Sequence, residues 1–211
     1  MPRWVLAGWV VMAAVLAWAP GAAAGGVPLR VYETQLWVGR VLQREASHLD
    51  LETRRVIART VAEEAQAHEL DPALLMAVMR VESRFRPGAI SHRGARGLMQ
   101  VKPSTAGELT NGTVTAKALH DPETNVRLGA TLLKRFIRTH RGNLAEGLAA
   151  YNMGSRRLRH LLARDAALKA EDMRYARAVM REAARLKATH KPVQLRADEA
   201  PPATLAAWLM D

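Results

Sequence analysis

The most constraining feature of this sequence is a carboxylate on the interior side of a helix. The segment from Asp71 to Arg84 reads DPALLMAVMRVESR. Asp71 predicts an N-cap, and Pro72 a first helical residue, where a missing N–H costs no hydrogen bond. Leu75, Val78, Met79 and Glu82 follow at i, i+3, i+4 and i+7, so Glu82 falls on the stripe that faces the core. Pro87 and Gly88 stop the helix soon after. A carboxyl group carried into an apolar wall loses hydration, and its pKa rises. A proton retained at neutral pH is what a general acid requires. The competing reading is a core helix whose glutamate sits in a structural ion pair, since buried pairs imitate catalytic surroundings.

The next stretch has little helical period. Ser91, Gly94, Gly97 and Gln100 punctuate it, so a loop is expected that passes close to a ligand and offers hydroxyl, backbone and amide hydrogen bonds. Leu98, Met99 and Val101 pin that loop to the core, and Pro103-Ser104-Thr105-Ala106 begins another helix.

The whole run ESRFRPGAISHRGARGLMQVKPSTA closely resembles the lytic transglycosylases with a goose-lysozyme-like catalytic domain. The match falls on Glu82, Ser83, Phe85, Pro87, Ala89, Ser91, Gly94, Ala95, Gly97, Leu98, Met99, Gln100, Pro103, Thr105 and Ala106. A second motif, Leu148-Ala-Ala-Tyr-Asn-Met-Gly154, resembles the family's Ala-Ala-Tyr-Asn-Ala-Gly, with Met153 in place of the usual Ala. Asn125 and Gly129 match an Asn-x-x-x-Gly feature, and the small Gly129 predicts close packing against a neighbour. Glu171-Asp-Met-Arg-Tyr175 resembles Glu-Thr-x-x-Tyr but departs at Asp172. The resemblance spans roughly residues 51–187 and implies an all-α, lysozyme-like helical domain with a Gly-rich active-site loop.

Charge and cysteine content narrow the partners. The formal charge is +11 and the sequence pI about 10.9, which favours an anionic partner. Basic residues are spread along the chain, and aromatics are only 5%, too few for a base-stacking platform, so nucleic acid is not expected. Peptidoglycan, with its acidic stem peptides, suits the same charge. No cysteine is present, which excludes a disulfide framework and a thiolate nucleophile. His48, His68, His92, His120, His140, His160 and His190 show no metal-binding spacing, so neither metal nor cofactor is expected, and most of them are expected in solvent.

Along the chain, residues 1–24 read as a secretory signal peptide: Arg3, an apolar run from Val5 to Ala19, then Ala22-Ala23-Ala24. The run is too short for a comfortable span of about 20 residues, so a periplasmic protein without a stable membrane span is expected. Residues 25–50 form an N-terminal extension in which Val38, Val41, Leu42 and Leu49 suggest an amphipathic helix, with Tyr32 and Trp37 over part of the core. The catalytic domain is expected over 51–187. Its helices cover Leu51 to His68, the Glu82 segment, Ser104 to Leu109, Asp121 to about His140, the Leu144–Tyr151 run, Ser155 to Arg164 and Glu171 to Lys187. Glu63 and Glu64 are expected in solvent. Residues 188–211 read as a mobile tail that ends in a helical turn at Leu205, Trp208 and Leu209, expected to dock on the domain or a partner.

Glycosidic cleavage ordinarily takes two carboxylates, and the motifs offer one. The resemblance implies a substrate-assisted route in which Glu82 alone is acid and then base, giving 1,6-anhydromuramyl ends without water. It also implies substrate contacts from Ser91, Met99, Gln100, Tyr151, Asn152, Glu171 and Tyr175, with the Tyr151 hydroxyl near the acid. The rivals are a hydrolytic muramidase of the same fold and a non-catalytic wall-binding module. The partner is peptidoglycan glycan strands, in general turnover or at a secretion system, flagellum or pilus.

Overall fold

A computed structural model describes residues 28–164 and 169–195. Among them the fold is all-α. Eight helices run in order: α1 (Leu29–Glu45), α2 (Leu51–Ala67), α3 (Pro72–Ser83), α4 (Pro103–Thr110), α5 (Pro122–Thr139), α6 (Leu144–Met153), α7 (Ser155–Arg164) and α8 (Arg174–Thr189), with a 3-10 turn at Ala118–His120. Extended pairing is limited to isolated bridges inside the Gly-rich loop.

Local chemistry sets the helix starts. Asp50, Asp71, Asp121 and Asn143 accept from the backbone N–H of Thr53, Ala73, Thr124 and Glu146. Each bond satisfies one of the donors that a helix start leaves unpaired. Pro72 and Pro122 occupy first-turn positions behind their Asp caps.

α3 is the buried axis. Ala73 through Met79 are all enclosed, with α1, α2 and α8 packed around them. α5 lies against α2 and α6, burying Val126, Ala130 and Leu133 completely. Glu82 therefore stands on the last turn of a helix whose direction the core fixes from several sides.

The expected N-terminal extension belongs to that same core. α1 buries Val38, Val41 and Leu42 completely. Trp37 donates its ring N–H to the His190 carbonyl at 2.7 Å, and the Leu195 N–H donates to Glu33 Oε1 at 2.8 Å. These bonds fasten residues 190–195 onto α1, so the described part of the expected tail is docked. The expected leader, and Leu205, Trp208 and Leu209, lie outside the described residues.

Two other expectations are corrected. Glu64 is only 8% exposed. Arg127 of α5 donates to Glu63 and Glu64, each at 2.6 Å, and to Glu123 at 2.9 Å, which ties α2 to α5. Three carboxylates share that guanidinium because α5 lies directly along α2. The histidines are not mostly solvated either. His190 is buried, and His120 bridges two loop segments. Its Nδ1 lies 3.0 Å from the Pro87 carbonyl, which can only accept, so Nδ1 carries the proton and Nε2 accepts from Arg96 at 3.3 Å.

Candidate active site

The site begins where α3 stops. Its end comes earlier than the proline signal: Arg84 and Phe85 both take left-handed backbone, with φ of 53° and 59°. Such conformations cost roughly 1–3 kcal/mol each for residues other than glycine. The completely buried Phe85 ring offsets part of this. The result is a chain reversal directly behind Glu82, whose side chain is left at the edge of the core.

The Gly-rich segment folds as two tight turns beside that reversal. Ser91 N–H donates to the Ala95 carbonyl at 2.9 Å, and Arg96 and Val101 exchange backbone bonds at 3.0 Å. Gly94 and Gly97 take φ of 76° and 77°. Gly97 must be glycine for a second reason, since a Cβ there would lie 2.2 Å from the Leu119 carbonyl. Asn125, fully buried on α5, holds the turn from behind. It accepts from Met99 N–H at 2.7 Å and donates to the Arg96 and Leu119 carbonyls at 2.9 and 2.8 Å.

Glu82 lies between two hollows. One, of about 400 Å³, runs past Ser91, Gln100, Tyr151, Asn152 and Phe136. The other, of about 470 Å³, runs past Pro87's neighbours Arg86, Gly88 and Ile90. Ser91, Gln100 and Glu82 belong to both. Glu82 is the only carboxylate among the described residues lining either hollow.

Burial raises the Glu82 pKa, and a hydrogen bond from Tyr175 partly offsets it. The Tyr175 hydroxyl donates to Glu82 Oε1 at 2.6 Å. Burial and the neighbouring Glu82 push both Tyr175 and Tyr151 well above the usual phenol range, so both remain donors. The arrangement favours the protonated form of this carboxyl more than solvent would, beside an open groove.

The expected site residues divide. Ser91, Gln100, Tyr151 and Asn152 line the groove with Glu82. Ser91 Oγ accepts from the Arg93 and Ala95 N–H groups and keeps its own proton to donate. Gln100 spends its amide nitrogen on the Ala89 and Gly97 carbonyls, which leaves Oε1 as its acceptor. The tyrosine against the acid is Tyr175, while Tyr151 donates instead to the Met99 carbonyl at 2.7 Å. Met99 does not wall the groove. It is completely buried, and its side chain fills the space that a Cβ on Gly129 would occupy. Glu171 is exposed and lines neither hollow.

His92, Arg93, Lys102, Leu132 and Phe136 also line the groove and were not anticipated. The signal for the last two was present. Leu132 and Phe136 repeat at i, i+4 beside the buried stripe of α5, as a second stripe would. Phe136 meets Tyr151 edge to face, with centroids 6.3 Å apart.

Comparison with known proteins points one way. The "Membrane-bound lytic murein transglycosylase C" of Sodalis glossinidius is 29% identical over 144 residues, covering 62% of this chain and 40% of that protein. Its namesake in Haemophilus influenzae is 34% identical over 94 residues, covering 42% of this chain and 26% of that one. The chain thus spans well under half the length of these relatives. Among solved structures, an inactive glutamate-to-glutamine mutant of lytic transglycosylase Slt from Pseudomonas aeruginosa superposes with a TM-score of 0.56 at 29% identity, covering 72% of this chain and 27% of that one. The 70 kDa soluble lytic transglycosylase of Escherichia coli gives 0.56 at 25%, covering 79% and 31%. The family described as "Transglycosylase SLT domain" matches residues 59–173, which takes in Glu82, both groove motifs and the start of the Tyr175 segment. On that match, the chain belongs to the transglycosylase SLT domain family.

Proposed function

We propose that this protein is an exported peptidoglycan lytic transglycosylase that cleaves the bond between N-acetylmuramic acid and N-acetylglucosamine without water. The observation that carries the proposal is Glu82 itself: a half-buried carboxyl with a raised pKa, the one carboxylate among the described residues lining the two hollows beside it. Protonated Glu82 gives its proton to the glycosidic oxygen. The muramic 2-acetamido group stabilises positive charge at its own C1. Glu82, now a carboxylate, removes the proton of the C6 hydroxyl, which closes onto C1 as a 1,6-anhydro ring. A hydrolytic muramidase would need a second carboxylate across the groove to activate water, and among the described residues the lining offers none. The relatives' names, lytic murein transglycosylase, and the inactive glutamate-to-glutamine neighbour support the reading.

Ser91, Gln100 and Asn152 contact sugar hydroxyls and amides in this scheme. Tyr175 acts through Glu82 and is a positioning residue. The signal-peptide pattern of residues 1–24 supports export. No helix among the described residues is long and apolar enough to cross a membrane.

Product mass settles the reaction. Purified sacculi digested with the protein should yield muropeptides with anhydro ends, each lighter by one water than the hydrolytic product. Reducing ends in their place would replace this reading with hydrolysis.

The pH profile reports the tyrosine. The Tyr175 hydroxyl stabilises the charged form of Glu82 and so lowers a pKa that burial raises. Tyr175→Phe removes that donor, and the Glu82 pKa should rise further. The acid must be protonated to act, so the fall in kcat/KM on the alkaline side should move to higher pH. A shift to lower pH, or none, would exclude this role.

A further inference from the structure

We propose that the outer face of α7 binds the carboxylates of the acidic stem peptides, so that the groove takes peptide-bearing glycan in preference to bare glycan. The inference rests on the assignment of the groove to peptidoglycan.

α7 reads SRRLRHLLAR and contains no acidic residue. At about 100° per residue, Arg156, Arg157, Arg159, His160 and Arg164 share one face, and Leu158, Leu161 and Leu162 the other. All five basic side chains are exposed, while Leu158 is completely buried. None of the five has a charged partner among the described residues. A helix held only for its fold would not be built this way. Arg156 and Arg157 stand in the first turn, where the helix dipole disfavours positive charge. Arg156 repels Arg159, three residues on, at a spacing where like charges destabilise. A local rule broken without compensation among the described residues marks a surface kept for a partner.

Its position names the partner. α7 starts directly after Gly154, which lines the groove. Leu158 packs with Ala149 and Ala150 in a small cluster joined by Phe136, Met153 and Leu162. Phe136 and Met153 are themselves groove walls, so α7 starts at the groove's edge, with Arg156 and Arg157 two and three residues beyond the groove-lining Gly154. Arg93 and Lys102 carry the same sign into the groove, also without acidic partners among the described residues. An extended sugar strand in the groove brings its peptides, and their carboxylates, past this rim.

The test compares kcat/KM of the full chain on soluble glycan strands that keep their peptides and on the same strands stripped by an amidase. Wild type should favour the peptide-bearing strands, and the preference should fall as salt rises. The triple variant Arg156→Gln, Arg157→Gln, Arg159→Gln should lose roughly tenfold of that preference through KM, since each exposed ion pair contributes up to about fivefold. Its thermal melt should be unchanged or higher, because repulsion is relieved. The corresponding triple Lys variant should keep most of the preference. Equal rates of wild type on both strands would overturn the proposal while leaving the transglycosylase reading intact. So would a Lys variant that behaves like the Gln variant. No product from either strand would overturn both. If the Gln substitutions instead abolished co-sedimentation with phosphatidylglycerol vesicles and left the strand preference unchanged, the face would belong to a lipid surface and the proposal would fail.

Discussion

Glu82→Gln should give a folded protein that releases anhydromuropeptides about 10²–10⁴-fold more slowly than wild type, the usual worth of a general acid. The amide keeps the volume of the carboxyl and still accepts from the Tyr175 hydroxyl, so the pocket should survive. The stability effect has a definite sign. Burial raises the Glu82 pKa in the folded state. Protonation therefore favours folding, and that advantage disappears as pH rises through the folded value, where a buried charge must form. Glutamine carries no such charge. At neutral pH the variant should melt at the same temperature as wild type or above it, and below the carboxylate's unfolded pKa the two should converge. Turbidity clearance of sacculi and a thermal melt at two pH values check both halves. A fully active variant would remove Glu82 from the chemistry. A variant that is inactive because it is unfolded would instead assign the carboxylate to structure.

Much of this arrangement was legible in the chain because it is local. The Asp-Pro starts at Asp71 and Asp121 and the seven-residue step from Leu75 to Glu82 are written in neighbouring residues, and the helices follow them. What was not legible depends on contacts across long sequence distances. Glu64 looks like a solvated helix residue until α5 is laid beside it with Arg127. Residues 25–50 look like an extension because their apolar pattern does not say which surface they cover, and that surface is α2 and α3. The tyrosines are the sharpest case. Tyr151 sits in the stronger motif and lines the groove with Glu82, but its hydroxyl serves the Met99 carbonyl. Tyr175, from the motif that departs at Asp172, reaches Glu82 across 93 residues of sequence. Motif strength reports how tightly a turn is specified, and says less about which hydroxyl meets the carboxylate.

Asn125→Ala should be among the most damaging single substitutions in the protein, although Asn125 lines neither hollow. Its side chain is fully buried and makes three hydrogen bonds, all to the loop or to the 3-10 turn. Alanine would leave the Met99 N–H and the Leu119 carbonyl unpaired and take one of two bonds from the Arg96 carbonyl, which keeps the Val101 N–H. At about 1–3 kcal/mol for each buried group left unpaired, with partial relaxation, a loss of roughly 3–5 kcal/mol is expected, a large share of the 5–15 kcal/mol typical of a domain. The melting temperature should fall by roughly 10 °C. Asn125→Asp preserves the shape but turns an acceptor toward two carbonyls, so it should rescue little. The damage should also reach the groove. Met99 is held at three points: its N–H by Asn125, its carbonyl by Tyr151, and its side chain in the space left by Gly129. Losing the first frees the loop that carries Ser91 and Gln100. Well below its melting temperature the variant should therefore show weaker substrate binding, with the loop amides from 94 to 101 exchanging faster than those of α3. Unchanged stability with slow exchange in that loop would mean that the turn is held by its own backbone bonds, and that Asn125 merely fills the space behind it.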